Sequence, residues 1–153
     1  MTTTAPSLPP RWFIRSMWRA HRTLYRLSRG RLGLSRPKPG RAGMLRLRTV
    51  GRVSRLERAV VVCYIEDGPN LVTIAMNGWS DPAPAWWSNL RATPEAHVDL
   101  VSGGHPVRAR AAEGVERDRL WAQLDGVQGW GDDLDALSGL RRGQTPVVVL
   151  EPR

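Results

Sequence analysis

The chain has 153 residues and a mass of 17.1 kDa, which is the size of one ordinary domain. Hydrophobic residues make up 41% of it and charged residues 24%, a balance that is typical of a globular rather than a disordered protein. Its single cysteine, Cys63, excludes an intramolecular disulfide framework and a zinc site made of several cysteines.

No apolar run approaches the roughly 18 residues that a helix needs to cross a bilayer. Residues 1–10 lack the basic start and the apolar stretch of a secretory signal. We therefore expect a cytoplasmic protein in a reducing compartment, with peripheral contact to the inner face of the plasma membrane left open.

Basic residues are concentrated in the first part of the chain. Residues 1–58 contain fifteen basic side chains and one acidic side chain, whereas residues 59–153 contain eight basic and thirteen acidic ones. An anionic partner is therefore expected near the N-terminal third, either a phosphorylated cofactor or a membrane surface. The pI near 11.4 would also suit nucleic acid, but no recognition motif accompanies it, and we expect no nucleic-acid partner.

The N-terminal segment predicts a flexible tail, residues 1–10, followed by a basic amphipathic helix over residues 11–29 that Gly30 ends. Arginines recur every three or four residues and gather on one stripe of this helix: Arg11, Arg15, Arg19, Arg22, Arg26 and Arg29. A mainly apolar stripe runs beside them: Ile14, Met17, Trp18, His21, Leu24 and Tyr25. Such a helix either lies on an anionic membrane or packs its apolar stripe on the domain.

Six later segments have the apolar alternation or the β-branched runs that predict strands: 44–50, 58–65, 71–76, 96–102, 105–112 and 145–150. Turn residues at 67–70 and the pair Gly103-Gly104 predict two hairpins. Short helices are predicted at 85–92 and 115–124, and the glycine-rich residues 125–144 predict a loop or a broken helix.

This order predicts a mainly β (α+β) fold, a small closed antiparallel barrel with an N-terminal amphipathic helix and two short helices. The predicted organisation is a tail over residues 1–10, a helix and connector over residues 11–43, and a cofactor-binding barrel over residues 44–153.

Familiar catalytic and metal-binding arrangements are missing from the sequence. The three histidines are isolated, and Cys63 lies inside an apolar run, so an inert core thiol is expected. No G-x-S-x-G, Walker or G-x-G-x-x-G motif is present. The acidic residues at 132, 133 and 135 lack partner ligands, and we expect them to be solvated. We therefore expect no metal site.

Two segments remain as candidates for a ligand site. Residues 51–58 form a basic turn between two predicted strands, in which Arg52, Arg55 and Arg58 could direct guanidinium groups at one anion. Residues 77–90 contain three tryptophans, which either line a flat ring or anchor the short helix to the barrel.

These segments carry a longer pattern. The pattern begins between two predicted strands with G-R-x-S-x-x-x-R. It continues with D-G, A-x-x-G, P-A-W-x-x-N-L and a C-terminal P-V-V-V-L-E-P, and residues 24–27 and 30–33 belong to it as well. The pattern resembles the deazaflavin-dependent nitroreductase and F420H2-dependent quinone reductase family over residues 18–152. Members of that family reduce quinone and nitro compounds in mycobacteria and other actinobacteria with coenzyme F420, an 8-hydroxy-5-deazaflavin.

The resemblance implies a split β-barrel of the flavin-reductase type, a hydride transfer from reduced F420 to a small apolar acceptor, and no catalytic side chain. It implies that the basic turn binds the coenzyme's phosphate and acidic tail and that the second segment lies beside the ring. The family's C-terminal tyrosines, which orient the substrate in some members, are missing here, and Trp130 is the nearest aromatic that could contact a substrate in their place. The cofactor-binding residues implied are Arg52, Ser54, Arg55, Arg58, Met76, Asn77, Gly78, Pro84, Trp86 and Asn89.

Four residues depart from the family pattern. Val53 replaces a lysine and Arg55 a glycine of the G-R-K-[ST]-G turn, Met76 stands where a serine is frequent, and Trp79 replaces a second glycine. These departures leave a non-catalytic relative that binds a fatty acid as the alternative function, and FMN or haem as less favoured ligands of the same fold. A monomer and a dimer are both compatible with the sequence.

Overall fold

The computed structural model of the chain describes residues 10–27 and 33–153. The predicted tail, apart from Pro10, and the predicted helix end at Gly30 lie outside the described residues. The predicted N-terminal helix is present as α1, Arg11–Leu27. The side chains of Arg11, Arg15 and Arg19 are exposed, and the other three arginines of the basic stripe lie outside the described side chains.

The apolar side of α1 is also exposed where the structure describes it. Met17 is 60% and Trp18 39% exposed, and Phe13 is 44% exposed. The domain-packing alternative requires these side chains to be buried in a core, and all three are exposed instead. Among the described residues, no helix has the length and apolar character needed to cross a membrane.

Six antiparallel strands form a closed barrel, which confirms the predicted fold class. Their order around the barrel is β1-β2-β3-β6-β5-β4. The strands are β1 Gly43–Val50, β2 Glu57–Asp67, β3 Asn70–Ile74, β4 Glu95–Leu100, β5 Gly103–Ala111 and β6 Val147–Pro152. The helices that interrupt them are α2 Ala85–Ala92, α3 Gly114–Asp125 and α4 Leu134–Ser138.

The strand directions bring the two candidate segments to one end of the barrel. β1 ends at Val50 beside the start of β2, and β3 runs antiparallel to β2, so that its exit also lies at this end. The helix α2 leads into β4, whose start pairs with the last part of β1. The β1–β2 turn, the β3 exit and α2 thus share one end, which we call the Gly51 end.

Inward-facing apolar residues fill the barrel because side chains alternate between its two faces. Along β1 every second residue is buried, and Leu45 and Leu47 are fully inaccessible. Trp86, Trp87 and Leu90 of α2 join the same core cluster. The helix therefore closes the Gly51 end of the barrel with apolar side chains.

A second apolar cluster lies outside the barrel, between the outer faces of β3 and β6 and the helices α3 and α4. The short helix α4 lies in the segment for which the sequence predicts a loop or a broken helix. The carboxylate of Asp133 accepts a hydrogen bond from the N–H of Ala136 at 2.9 Å, and Leu134 is fully buried. A cap and one buried leucine thus suffice for a helix too short to show a period.

The second hairpin differs from its prediction by two residues. Leu100 pairs with Gly103, so the chain reverses at residues 101 and 102, and Gly103-Gly104 begin β5. A Cβ on Gly104 would lie 3.3 Å from Oδ1 of Asp99, which pairs with Arg46 and Arg48. The second glycine thus makes room for a cross-strand ion pair rather than forming the turn.

Candidate functional site

The β1–β2 turn is a closed loop with its own hydrogen bonds. The N–H of Gly51 donates to the carbonyl of Leu56 at 2.8 Å, and the N–H of Arg55 donates to the carbonyl of Gly51 at 2.9 Å. The hydroxyl of Ser54 accepts from the N–H of Leu56 at 3.3 Å. Ser54, which the sequence places at an anion, is thus part of the internal bonding of the turn.

Two positions of this turn have special backbone requirements. A Cβ on Gly51 would lie 2.5 Å from the hydroxyl oxygen of Ser54 and 3.1 Å from the carbonyl oxygen of Leu56, so a larger residue there would displace the Ser54 hydroxyl from its bond. Arg55 has a φ of 59°, the left-handed region that glycine adopts without steric cost. The glycine that the family pattern has at this position would suit the observed backbone, and arginine occupies it under strain.

The turn presents three cations to solvent. Arg52, Arg55 and Arg58 are exposed, and none has a hydrogen-bonded or ion-paired side chain among the described residues. Val53, where the family pattern has lysine, is 83% exposed. Arg91, in the last turn of α2, adds a fourth exposed guanidinium at the Gly51 end. Clustered unpaired guanidiniums can bind phosphate or carboxylate groups bidentately.

Asn89 connects α2 to the β1–β2 turn through its side-chain amide. Its side chain is buried, and its Oδ1 accepts a hydrogen bond from the N–H of Arg52 at 3.1 Å. Its Nδ2 donates to the hydroxyl of Thr49, also at 3.1 Å. The structure thus brings Asn89 and Arg52 together, but it places the Asn89 amide under the turn and not on an open surface.

Thr49 belongs to this site although the sequence motifs do not include it: it is 2% exposed and accepts the Asn89 bond. A signal for it exists in the sequence. Thr49 continues the alternation of Leu45 and Leu47 along β1, and a polar residue at such an inward position needs a buried partner.

The β3 exit forms the other side of the candidate site. Met76 is half-buried, Asn77 is exposed, and Gly78 has a φ of 58°. The hydroxyl of Ser80 donates to the carbonyl of Asn77 at 2.7 Å, which closes a short turn. This loop therefore offers one partly open apolar side chain and a glycine beside it.

Trp79 is held in a left-handed conformation with a φ of 61° by burial and a hydrogen bond. It is 4% exposed, and its Nε1 donates to the carbonyl of Trp130 at 2.8 Å. Trp130 itself is 5% exposed and packs in the outer cluster. The structure thus assigns Trp130 a packing role and leaves it little surface for a substrate.

The other aromatic residues of this segment also pack inside. Trp86 is 8% and Trp87 9% exposed, and Pro84 at the start of α2 is buried. These tryptophans therefore anchor their segment to the barrel, and none of them presents an exposed face against which a flat ring could stack.

A cavity of about 260 Å³ lies beside the β1–β2 turn, with charged groups of both signs in its wall. Its lining residues are Arg48, Thr49, Val50, Glu57, Thr93, Glu95, Ala96 and His97. A second cavity of about 220 Å³ lies near the opposite end, where burial and the neighbouring Glu66 raise the pKa of Tyr64. Both cavities therefore have charged side chains in their walls beside apolar ones.

The remaining reactive residues have structural surroundings. Burial raises the pKa of the Cys63 thiol to about 11, and its sulfur lies 3.3 Å from that of Met44. Asp135 accepts a hydrogen bond from the indole of Trp121 at 2.8 Å. Within the described part of the chain, no group of three or more His, Cys, Asp or Glu side chains could hold a metal ion.

Sequence comparison links this arrangement to known proteins. The family described as F420H(2)-dependent quinone reductase matches residues 17–152 of the chain. A Mycobacterium tuberculosis protein whose name places it among F420H(2)-dependent quinone reductases is 33% identical over 123 residues. That alignment covers 80% of this chain and 99% of the relative.

Two solved structures share the fold. One, titled a domain-swapped dimer, superposes with a TM-score of 0.66 at 23% identity and covers 94% of this chain and 100% of its own. The other, titled an F420-H2 dependent reductase, has a TM-score of 0.58 at 23% identity and covers 71% of this chain and 93% of its own.

Proposed function

Since the chain belongs to the F420H(2)-dependent quinone reductase family, we propose that it is an oxidoreductase that binds coenzyme F420 at the Gly51 end of the barrel. The observation that carries the proposal is the exposed, unpaired cluster of Arg52, Arg55 and Arg58, which α2 supports through Asn89. Relatives with the family name are mycobacterial, and an actinobacterial F420 enzyme accords with them.

The residues present suit the anionic part of the coenzyme. A phosphate and a carboxylate-rich tail need cationic donors that are not already neutralised, and the three guanidiniums of the turn meet this requirement. Ser54 holds the turn closed through its bond to Leu56, so that Arg52 and Arg58 project from a fixed backbone. We assign Arg52, Arg55 and Arg58 to direct anion contact and Ser54 to the shape of the turn.

The ring is proposed to lie against the β3 exit. Met76 and Gly78 offer the half-buried surface there, and Asn77 is exposed beside them. We assign Pro84 and Trp86 to the support of this surface, because both are buried at the start of α2, and Asn89 to the support of the basic turn, to which it is bonded.

Bound reduced F420 would supply the hydride, which suits a site without an acid–base pair. The protein's part is then to fix the ring and to exclude water beside an apolar acceptor, such as a quinone or a nitro compound. Titration of the purified chain with oxidised F420, with FMN as the comparison ligand, tests the proposal. F420 is expected to bind at least about tenfold more tightly than FMN, and equal or reversed affinities count against it.

The described residues favour the coenzyme over the fatty-acid alternative. The inward residues of the barrel pack against one another, with Leu45, Val98 and Leu150 fully buried, and the two cavities described above have charged linings. The coenzyme is the better fit to the described residues.

We also propose that α1 contacts an anionic membrane surface, in keeping with an apolar electron acceptor. The observation that favours this role is the exposure of Phe13, Met17 and Trp18 beside the exposed arginines 11, 15 and 19. Apolar side chains beside a basic stripe are typical of helices that lie in a lipid interface.

A further inference from the structure

The hydrogen-bond ladder between β3 and β6 stops at Pro146, which cannot donate the next bond. Ile74 pairs with Val147 at the last ladder position, and one step further the N–H of Ala75 donates to the carbonyl of Pro146 at 2.9 Å. The two residues of such an antiparallel pair normally exchange both hydrogen bonds. Pro146 has no N–H, so the buried carbonyl of Ala75 needs a donor from elsewhere.

Arg141 supplies that donor from its side chain. Its Nη1 lies 3.1 Å from the carbonyl oxygen of Ala75 and 3.1 Å from the hydroxyl oxygen of Thr145. Its side chain is only 6% exposed, and its Nε lies 4.0 Å from a carboxylate oxygen of Asp81. The guanidinium thus takes the place of the N–H that Pro146 lacks.

One guanidinium therefore contacts both ends of the loop at the β3 exit. Ala75 directly precedes Met76, and Asp81 ends the segment that contains Asn77 and Gly78. The Nε of Arg141 is buried and has no hydrogen bond within the described part of the chain, and the Asp81 carboxylate is its ion-pair partner. Burying a charged group is costly unless it is bonded, so the contacts with Ala75, Thr145 and Asp81 are what hold this guanidinium in place.

We propose that Arg141 is a positioning residue for the coenzyme site, an inference that rests on the proposed function. By holding Ala75 and Asp81, Arg141 fixes the path of residues 76–78, against which the ring is proposed to lie. Arg141 does not contact the coenzyme. Its removal takes one contact from each end of this loop, while the bond from Arg142 N–H to Asp81 and the Trp79–Trp130 hydrogen bond remain.

Arg141→Gln tests this role, with Arg142→Gln as the matched control. Arg142 is the next residue, carries the same charge and lies 3.9 Å from Asp81, but its side chain is 97% exposed and has no bond to Ala75. Val98→Ala controls for lost stability alone, because Val98 is fully buried in β4, far from this loop in the strand order. Amide hydrogen exchange of residues 75–81 without coenzyme and the dissociation constant of oxidised F420 are measured for each variant.

In Arg141→Gln we expect exchange over residues 75–81 to rise about tenfold and F420 affinity to fall about tenfold. Arg141→Lys, which keeps a charged donor, should recover part of both effects, whereas Arg142→Gln and Val98→Ala should leave F420 affinity near the wild-type value. If Arg141→Gln does not fold, Thr145→Val, which removes the second acceptor of the guanidinium, and Arg141→Lys are measured in its place, each with a smaller expected effect in the same direction.

Wild-type exchange over residues 75–81, or wild-type F420 affinity, in Arg141→Gln overturns the inference. Failure of the wild-type chain to bind F420 instead overturns the proposed function, and the coenzyme role of Arg141 falls with it. The exchange result separates the two failures, since it reports on the loop in the free protein.

Discussion

Asn89 and Arg52 are joined by a hydrogen bond of 3.1 Å from the backbone N–H of Arg52 to the Asn89 side chain, so the basic turn rests directly on α2. The other half of the same amide donates to Thr49. A buried side chain thereby sets the position of an exposed one, and the cationic cluster depends on the helix that closes the barrel.

Asn89→Leu should lower both stability and coenzyme affinity. Leucine fills the space but leaves the Arg52 N–H and the Thr49 hydroxyl without their partner, which should cost about 1–3 kcal/mol of unfolding free energy. Urea denaturation and F420 titration measure the two effects. Ser88→Ala, at the half-buried neighbouring position, is the control, and equal losses in both variants would show that the effect is not specific to the Asn89 amide.

Arg55→Gly should change stability and binding in opposite directions. Glycine adopts the observed φ of 59° without a Cβ clash, so the free energy of unfolding should rise by up to about 1 kcal/mol. If Arg55 replaces the charge that Val53 lacks, F420 affinity should fall about tenfold.

The double variant Val53→Lys with Arg55→Gly should then restore affinity, because position 53 is 83% exposed and accepts a lysine without a clash. A cycle of four variants measures the coupling between the two positions. Unchanged affinity in Arg55→Gly would show that Arg52 and Arg58 suffice.

Much of this fold can be predicted from the sequence, because continuous β-branched runs and turn residues are local signals. The β2–β3 turn at residues 67–70 and α2 are found where the sequence predicts them. The chain reversal before Gly103 is not, because it depends on the cross-strand partners of Asp99. The bounds of α4 cannot be predicted within residues 125–144, because this helix depends on one cap and one buried leucine.

The candidate site could be predicted only in part. The basic turn is visible as a cluster of arginines, but the burial of Trp86 and Trp130 depends on which face of the barrel each packs against. The role of Arg141 requires knowing that Pro146 lies opposite Ala75, which sequence spacing alone does not reveal.

Cys63 should be a slow nucleophile in the folded protein. With its pKa raised from 9.0 to about 11 by burial, the thiolate fraction at pH 8 falls about 100-fold, and alkylation by iodoacetamide should slow accordingly. The rate in denaturant is the reference, and equal rates in the folded and denatured protein contradict the raised pKa.

The same pKa shift gives a sign for the dependence of stability on pH. Because the folded state holds the proton more tightly, the contribution of Cys63 is fully present below pH 9 and is lost as the pH rises from 9 to 11. Cys63→Ala should therefore lose stability less steeply than the wild type in that window. Parallel stability curves for the two proteins would count against the shift.

Membrane contact by α1 should depend on both of its faces. The wild-type chain is expected to sediment with anionic but not with neutral liposomes, and about 0.5 M salt should release it. The double variant Met17→Glu with Trp18→Glu should lose this binding. Its control, Ser16→Glu with Thr23→Glu, adds the same charge at other exposed positions of α1. Loss of binding in both double variants would assign the contact to net charge rather than to the apolar face.

The most direct test of the central claim compares F420 affinity in the wild type, Arg52→Gln and Arg58→Gln. Arg153→Gln is the matched control, because it removes an exposed arginine after β6, at the end of the barrel opposite to Gly51. Each change in the turn should weaken F420 binding by about 1.5–3 kcal/mol with little change in melting temperature, whereas Arg153→Gln should have little effect. Wild-type affinity in both turn variants, or an equal loss in Arg153→Gln, would contradict an anion site at the β1–β2 turn.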